Sequence, residues 1–168
     1  MLFRSVWCDV KESWDKTKHP LTSIAQIVSQ ANQHKPHNIV VTGGEPLMYD
    51  LNKLTDELKK RHFNTMIETS GAYAVSGNFD WICVSPKKFK PPIDETLLQA
   101  NELKVVVFNA SDFAWAERYA QKVSQTCQLF LQPEWDKQAQ MLPLIIDYVK
   151  KNPHWKISIQ THKYMNIP

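Results

Sequence analysis

The run Ile39-Val40-Val41-Thr42-Gly43-Gly44-Glu45-Pro46 constrains this chain more than any other stretch. A β-branched apolar segment ends at two adjacent glycines, a glutamate and a proline, and Leu47, Leu51, Leu54 and Leu58 follow at helical spacing. The pattern reads as strand, tight turn, helix. Only four glycines exist in the chain, so two of them side by side at a strand's C-terminal end imply that something approaches the backbone closely there. Glu45 refines the expectation. A phosphate site at such a junction uses bare N–H groups at a helix N-terminus, and an acid in that position repels phosphate. An ammonium-bearing ligand suits it better; a strand-to-helix turn with no ligand is the plainer alternative.

The same alternation recurs along the chain. A helix is expected from a Thr22 cap through Ile24, Ile27, Val28 and Ala31 to His34, followed by the Ile39–Thr42 strand and a Leu51–Arg61 helix. Strands are expected at Thr65–Ile67, Trp81–Val84, Leu103–Phe108, Leu129–Leu131 and Lys156–Ile159. Between them lie a short helix near Glu95–Ala100, a Ser111-capped helix bearing Phe113, Ala116, Ala120 and Val123, and a helix bearing Met141, Leu144, Ile145, Tyr148 and Val149. Strand and helix alternating throughout imply crossover connections and a parallel sheet, an α/β fold with about six strands. With 168 residues and 43% hydrophobic content, residues 1–168 read as a single domain.

Charge and cysteine usage exclude several classes. A net charge of +3, spread along the chain, is too weak to indicate nucleic acid and is compatible with anionic small molecules. The three cysteines, Cys8, Cys83 and Cys127, are odd in number and widely spaced, which is no disulfide framework and points to a reducing cytoplasm. No apolar run reaches membrane-spanning length, and Met1 to Trp7 lacks the apolar core of a signal peptide.

Five of the expected strands end on small or polar residues: Thr42 to Glu45, Glu68 to Gly71, Ser85 to Lys87, Gln132 to Glu134, and Gln160 to His162. In parallel α/β folds those ends share one rim, where ligands bind. Acids, hydroxyls, amides and a lysine on one rim suit a zwitterionic ligand. Lys87, which directly ends a strand, is the strongest candidate of the Lys87-Lys88-Phe89-Lys90 cluster for meeting an anionic group.

These segments resemble the 7-carboxy-7-deazaguanine synthases of the radical S-adenosylmethionine (SAM) superfamily. The resemblance rests on Cys8-Asp9-Val10-Lys11-Glu12-Ser13-Trp14, Thr42-Gly43-Gly44-Glu45-Pro46, Glu68-Thr69-Ser70-Gly71, Ser85-Pro86-Lys87, Glu102-Leu103-Lys104, Leu131-Gln132-Pro133-Glu134 and the ending Gln160-Thr161-His162-Lys163-Tyr164-Met165-Asn166-Ile167-Pro168. It implies a partial (β/α)6 barrel of the radical SAM type. It also implies a carbon-nitrogen lyase that converts 6-carboxy-5,6,7,8-tetrahydropterin to 7-carboxy-7-deazaguanine and ammonia, a 7-deazapurine step of queuosine biosynthesis and hence of tRNA modification. The cofactors it implies are SAM, a [4Fe–4S] cluster and Mg2+, with a pterin substrate, an electron donor and a homodimer partner. By position, Gly44 and Glu45 would meet the methionyl amino end of SAM. Trp7, Glu68, Ser70, Ser85, Pro86, Lys87, Gln132, Pro133, Glu134 and Trp135 would hold its other parts. Thr42, His162 and the terminal carboxylate of Pro168 would meet the substrate, and Cys8 a cluster iron.

Two features depart from the family pattern. The cluster needs three thiolates supplied as C-x3-C-x2-C, and sliding that pattern back from Cys8 lands on Ser5 and Met1. The first barrel strand, which precedes the cysteines in the family, is missing or altered too, so the chain reads as truncated or degenerate at its start. Second, Val10 stands where many members have a magnesium-binding threonine, and valine does not ligate a hard cation. A cluster-free remnant that binds SAM without chemistry is therefore the second reading.

Overall fold

The computed structural model describes residues 19–166, so the expectations for Trp7, Cys8, Val10 and Pro168 lie outside the described residues. Among these, six parallel strands lie side by side in chain order: β1 (Asn38–Val41), β2 (Asn64–Thr69), β3 (Trp81–Val84), β4 (Glu102–Val107), β5 (Gln128–Pro133) and β6 (Trp155–Ile157). The helices are α1 (Ile24–Gln33), α2 (Asn52–Lys59), α3 (Asp94–Leu98), α4 (Ser111–Ala120), α5 (Gln138–Lys151) and the single-turn α6 (Thr161–Tyr164).

Period-two patterning gives the sheet two different faces. In β4 the side chains of Leu103, Val105 and Val107 are fully buried, while Glu102, Lys104 and Val106 between them are half-buried. In β2 Thr65, Ile67 and Thr69 are buried and Glu68 is exposed. The buried face packs with Leu51, Leu97, Ala116, Met141 and Ile145 into one apolar core, each fully buried aliphatic side chain contributing roughly 1.5–3 kcal/mol. The register sets Glu68 beside Cys83 and Cys83 beside Glu102, so the opposite face carries a polar row.

Local chemistry fixes the helix starts, and in two places not where the sequence suggested. The cap of α1 is Ser23 rather than Thr22: its hydroxyl accepts from the Gln26 amide at 3.2 Å and the Gln26 side chain accepts back from the Ser23 amide at 3.1 Å. Ser111 lies inside α4 instead of capping it. The start of α4 is tied down by Asp112, whose carboxylate accepts from the Phe108 and Asn109 amides at 2.7 and 2.9 Å. The leucine series after Pro46 is also split. Pro46–Met48 form a 3-10 turn, and α2 begins only after Leu51.

One crossover has no helix, contrary to the expected strict alternation: residues 70–80 join β2 to β3 in irregular backbone. Side-chain and backbone bonds hold this link in place. The Ser76 hydroxyl donates to the Tyr49 carbonyl (2.9 Å), the Gly77 amide to Asn52 Oδ1 (3.0 Å), the Asn78 amide to Thr55 Oγ1 (2.9 Å), and Thr96 Oγ1 to the Tyr73 carbonyl (2.7 Å). Gln132 and Pro133, read as a strand-ending turn, belong to β5 itself.

Candidate active site

All six strands run the same way, so the segments after β1, β2, β3, β5 and β6 share one edge of the sheet. That edge gathers Thr42 to Glu45, Ser70, Ser85 to Lys87, Glu134, Trp135 and His162, as the sequence predicted. Hydrogen bonds link neighbouring loops. The Ser85 amide donates to the Thr69 carbonyl at 2.7 Å, the Glu134 amide to the Val107 carbonyl at 3.0 Å, and Ser158 Oγ to Gln132 Oε1 at 3.1 Å. Trp135 packs edge-on against Tyr164, ring centres 5.3 Å apart, with the Lys163 ammonium 5.0 Å from its ring centre. His162 is exposed on α6, and Pro86 and Pro133 are buried. A cavity of about 170 Å³ opens between the β3 and β4 ends, lined by Pro86, Lys87, Lys88, Phe108 and Trp115 among others.

The two glycines behave differently from the rest of the backbone. Gly43 has φ +144°, a conformation that side chains resist, whereas Gly44 has no such φ, and a Cβ built on either meets no atom of the described residues within 4 Å. Gly71 shows the contrast: a Cβ there would lie 2.9 Å from both Pro92 Cβ and Val84 Cγ1. Crowding by the protein accounts for Gly71 and leaves Gly44 unexplained. Open space over a bare exposed backbone at a strand's C-terminal end is a cradle that a side chain would fill.

Glu45 is 6% exposed, and its carboxylate is already saturated. Oε1 accepts from the Leu47 amide at 3.1 Å and from Thr69 Oγ1 at 2.5 Å, while Oε2 accepts from the Ser70 amide at 2.8 Å and from the Ser70 hydroxyl. An ionised carboxylate offers about four lone-pair sites, so the side chain faces its own chain rather than an incoming ammonium. Glu134 is likewise buried, accepting from the Lys137 amide at 3.1 Å.

Below the rim, the polar row on the open face holds a charged pair. Lys104 Nζ lies 2.9 Å from Glu68 Oε1, Cys83 Sγ donates to Glu102 Oε1 at 3.4 Å, and Trp81 Nε1 to Glu102 Oε2 at 3.1 Å. Burial works against the charge on Lys104, but the carboxylates of Glu68 and Glu102 help to outweigh it, and its pKa lies above the ordinary lysine value. Lys87 moves the other way, pushed down by burial and then by Lys104, with its ammonium donating to Ser85 Oγ at 2.9 Å. Sequence reasoning gave no role to Lys104 or to Thr69. The period-two spacing of Glu102 and Lys104 in an otherwise apolar strand was the available signal for the first; for Thr69 there was none.

The cysteines test the fit of an iron cluster. Cys83 and Cys127 are buried, and burial above all raises both thiol pKa values, that of Cys127 to about 11. Both are protonated at neutral pH and neither is a ready cluster ligand. Among the described residues no group of three or more His, Cys, Asp and Glu side chains could hold a metal ion. Among the described residues, then, neither buried thiol is available to a four-iron cluster.

No protein-family model matches the chain. It is 52% identical over 162 residues to the 7-carboxy-7-deazaguanine synthase of Flavobacterium psychrophilum, an alignment covering 96% of this chain and 77% of that protein. The chain belongs to the 7-carboxy-7-deazaguanine synthase family. The synthase of Synechocystis sp. is 45% identical over 161 residues, again 96% of this chain and 77% of the relative. In three dimensions the chain is similar to the crystal structure of QueE from Escherichia coli, with TM-score 0.73 and 28% identity over 83% of this chain. It spans 64% of that E. coli chain, just under two thirds. No helix among the described residues is long and apolar enough to cross a membrane.

Proposed function

We propose that this chain acts in the conversion of 6-carboxy-5,6,7,8-tetrahydropterin to 7-carboxy-7-deazaguanine and ammonia, a carbon-nitrogen lyase reaction of queuosine precursor synthesis, and that it binds SAM to do so. The observation that carries the reading is the uncrowded Gly43–Gly44 backbone at the shared rim, beside a half-open polar face. The six strands in chain order suit a partial (β/α)6 barrel of the radical SAM type, with the polar row facing its interior.

In this reading the backbone of Gly43, Gly44 and Glu45 takes the methionyl amino end of SAM. Ser70, Ser85, Pro86 and Lys87 line its flank, and Gln132, Pro133, Glu134 and Trp135 the far side of the rim. Lys87, adjacent to Ser85, is placed to meet a carboxylate. Glu68 is exposed on the open face, its Oε1 2.9 Å from Lys104 Nζ. Thr42 and His162 stand where the pterin would lie, with Pro168 assigned to it by the resemblance. SAM, when bound, would supply radical chemistry towards the pterin only with an electron from a donor that the described residues do not hold. The partners are then the pterin, an electron donor and a second copy of the chain, in a reducing cytoplasm.

Kinship with enzymes named as synthases supports this reading over a chemically silent remnant. The test is genetic. Restoration of 7-carboxy-7-deazaguanine by this chain in cells lacking their own synthase would decide for the reaction; a chain that binds SAM yet leaves the product absent is the remnant. A second expectation concerns iron. Only Cys8 occupies its place in the C-x3-C-x2-C pattern, so anaerobic reconstitution of residues 1–168 should give well under the roughly four irons per chain of a complete cluster. Introducing Met1→Cys and Ser5→Cys behind an added initiator methionine should raise the iron content; an unchanged low value would mean that more than thiolates is lacking.

A further inference from the structure

We infer that the Glu45 side chain is a positioning group: its carboxylate does not meet the ligand but locks together the loops that follow β1 and β2, and through Thr69 the loop that follows β3, so that the Gly43–Gly44 backbone is held open and in place. The inference rests on the SAM reading for its ligand and on geometry alone for the lock.

The geometry is that of a closed circuit. Glu45 is buried, and its four acceptor positions are filled by Leu47 N–H, Thr69 Oγ1, Ser70 N–H and Ser70 Oγ. Thr69 is 4% exposed and cannot touch a ligand. Its hydroxyl donates to Glu45 and accepts from the Gly71 amide at 3.0 Å, while its carbonyl accepts from the Ser85 amide at 2.7 Å. One carboxylate and one threonine thus join the C-terminal ends of β1, β2 and β3. A buried carboxylate ringed by donors is held strongly, because each bond to an ionised acceptor is worth about twice a neutral one. Glutamine in its place would turn an N–H2 towards groups that are themselves donors, so the negative charge is needed even though no ligand shares it.

The experiment separates a lock from a ligand. SAM is titrated calorimetrically into the full chain and into Glu45→Gln, Thr69→Val and the double variant. Each single change should weaken binding about tenfold, the scale of one bond to a charged group. The double variant should bind no worse than the weaker single one, because both changes open the same circuit. Thr69→Ser, which keeps the hydroxyl, should bind as the parent does. Thr69→Val binding like the parent while Glu45→Gln does not, or losses that add, would show Glu45 meeting the ligand directly and overturn the inference. Amide hydrogen exchange at residues 43–47 without ligand gives a second reading: both variants should exchange about tenfold faster there, and unchanged rates would also overturn it. Where Glu45→Gln does not fold, Glu45→Asp replaces it, keeping the charge but shortening the reach. If the parent itself gives no heat with SAM, the functional proposal fails, and the exchange rates still decide the role of Glu45.

Discussion

Replacing Gly44 by valine is expected to weaken SAM binding by about a hundredfold or more, two decades at ~1.4 kcal/mol each, while the melting temperature stays where it is. Both halves of the expectation come from one observation. A Cβ at position 44 meets no atom of the described residues within 4 Å and faces no left-handed backbone conformation, so the described fold leaves room for it. Surface changes of that kind usually alter stability by less than about 0.5 kcal/mol. The ligand fares differently, since the added methyls occupy the volume through which it would reach the bare backbone. Gly71→Ala is the control with the opposite signature: its φ of +76° and the 2.9 Å approach to Pro92 and Val84 make it destabilising wherever SAM lies. Calorimetric titration together with thermal melts checks both variants. A Gly44→Val chain that binds SAM as tightly as the parent would remove the rim from consideration as the site.

The largest effect on stability is expected at Trp155. Its side chain is 1% exposed at the start of β6, and its indole N–H donates to Glu117 Oε1 at 2.8 Å. The same oxygen accepts from Tyr148 Oη at 2.6 Å, and Tyr148 stacks on Phe113 with ring centres 4.4 Å apart. One carboxylate on α4 thus joins α5 and β6. Trp155→Ala should cost about 3–5 kcal/mol in chemical denaturation, the usual range for a large aromatic removed from a core. Against a total of roughly 5–15 kcal/mol for a domain, that is enough to populate the unfolded chain. Glu117→Gln should cost less, about 1–3 kcal/mol, because it weakens the bonds without opening a cavity. The acid dependence follows the same group. Although burial raises the pKa of Glu117, bonds from Tyr148 and Trp155 and the proximity of His154 outweigh it, and the folded pKa lies below the ordinary 4.5. Its contribution is complete above that ordinary value and is lost as the pH falls through the depressed one. The wild type should therefore lose stability more steeply in acid than Glu117→Gln does.

Much of the architecture was legible because it is written in short-range periodicity. Trp81–Val84 was bounded correctly from its apolar run. The common rim followed from the polar residues after five of the strands, since parallel strands have no choice but to end together. What the sequence concealed depends on partners far away along the chain. Glu45 looked like an acid awaiting a cation because nothing local announces Thr69 and Ser70, more than twenty positions on. Ser111 looked like a cap because capping propensity is local, whereas Asp112, one residue later, reaches back to Phe108 and Asn109. Lys104 was quoted without a role because its counter-ion, Glu68, sits two strands away.

The helix-less link of residues 70–80 has a mechanical consequence. Irregular backbone is where proteases usually cut and where solvent deuterium enters first, yet this segment is pinned to α2 at Asn52 and Thr55 and to α3 at Thr96. It should resist both as well as the flanking helices do. A strut of that stiffness carries any displacement of Gly71 straight to the base of α2 and leaves the β2 corner of the mouth little freedom to gape.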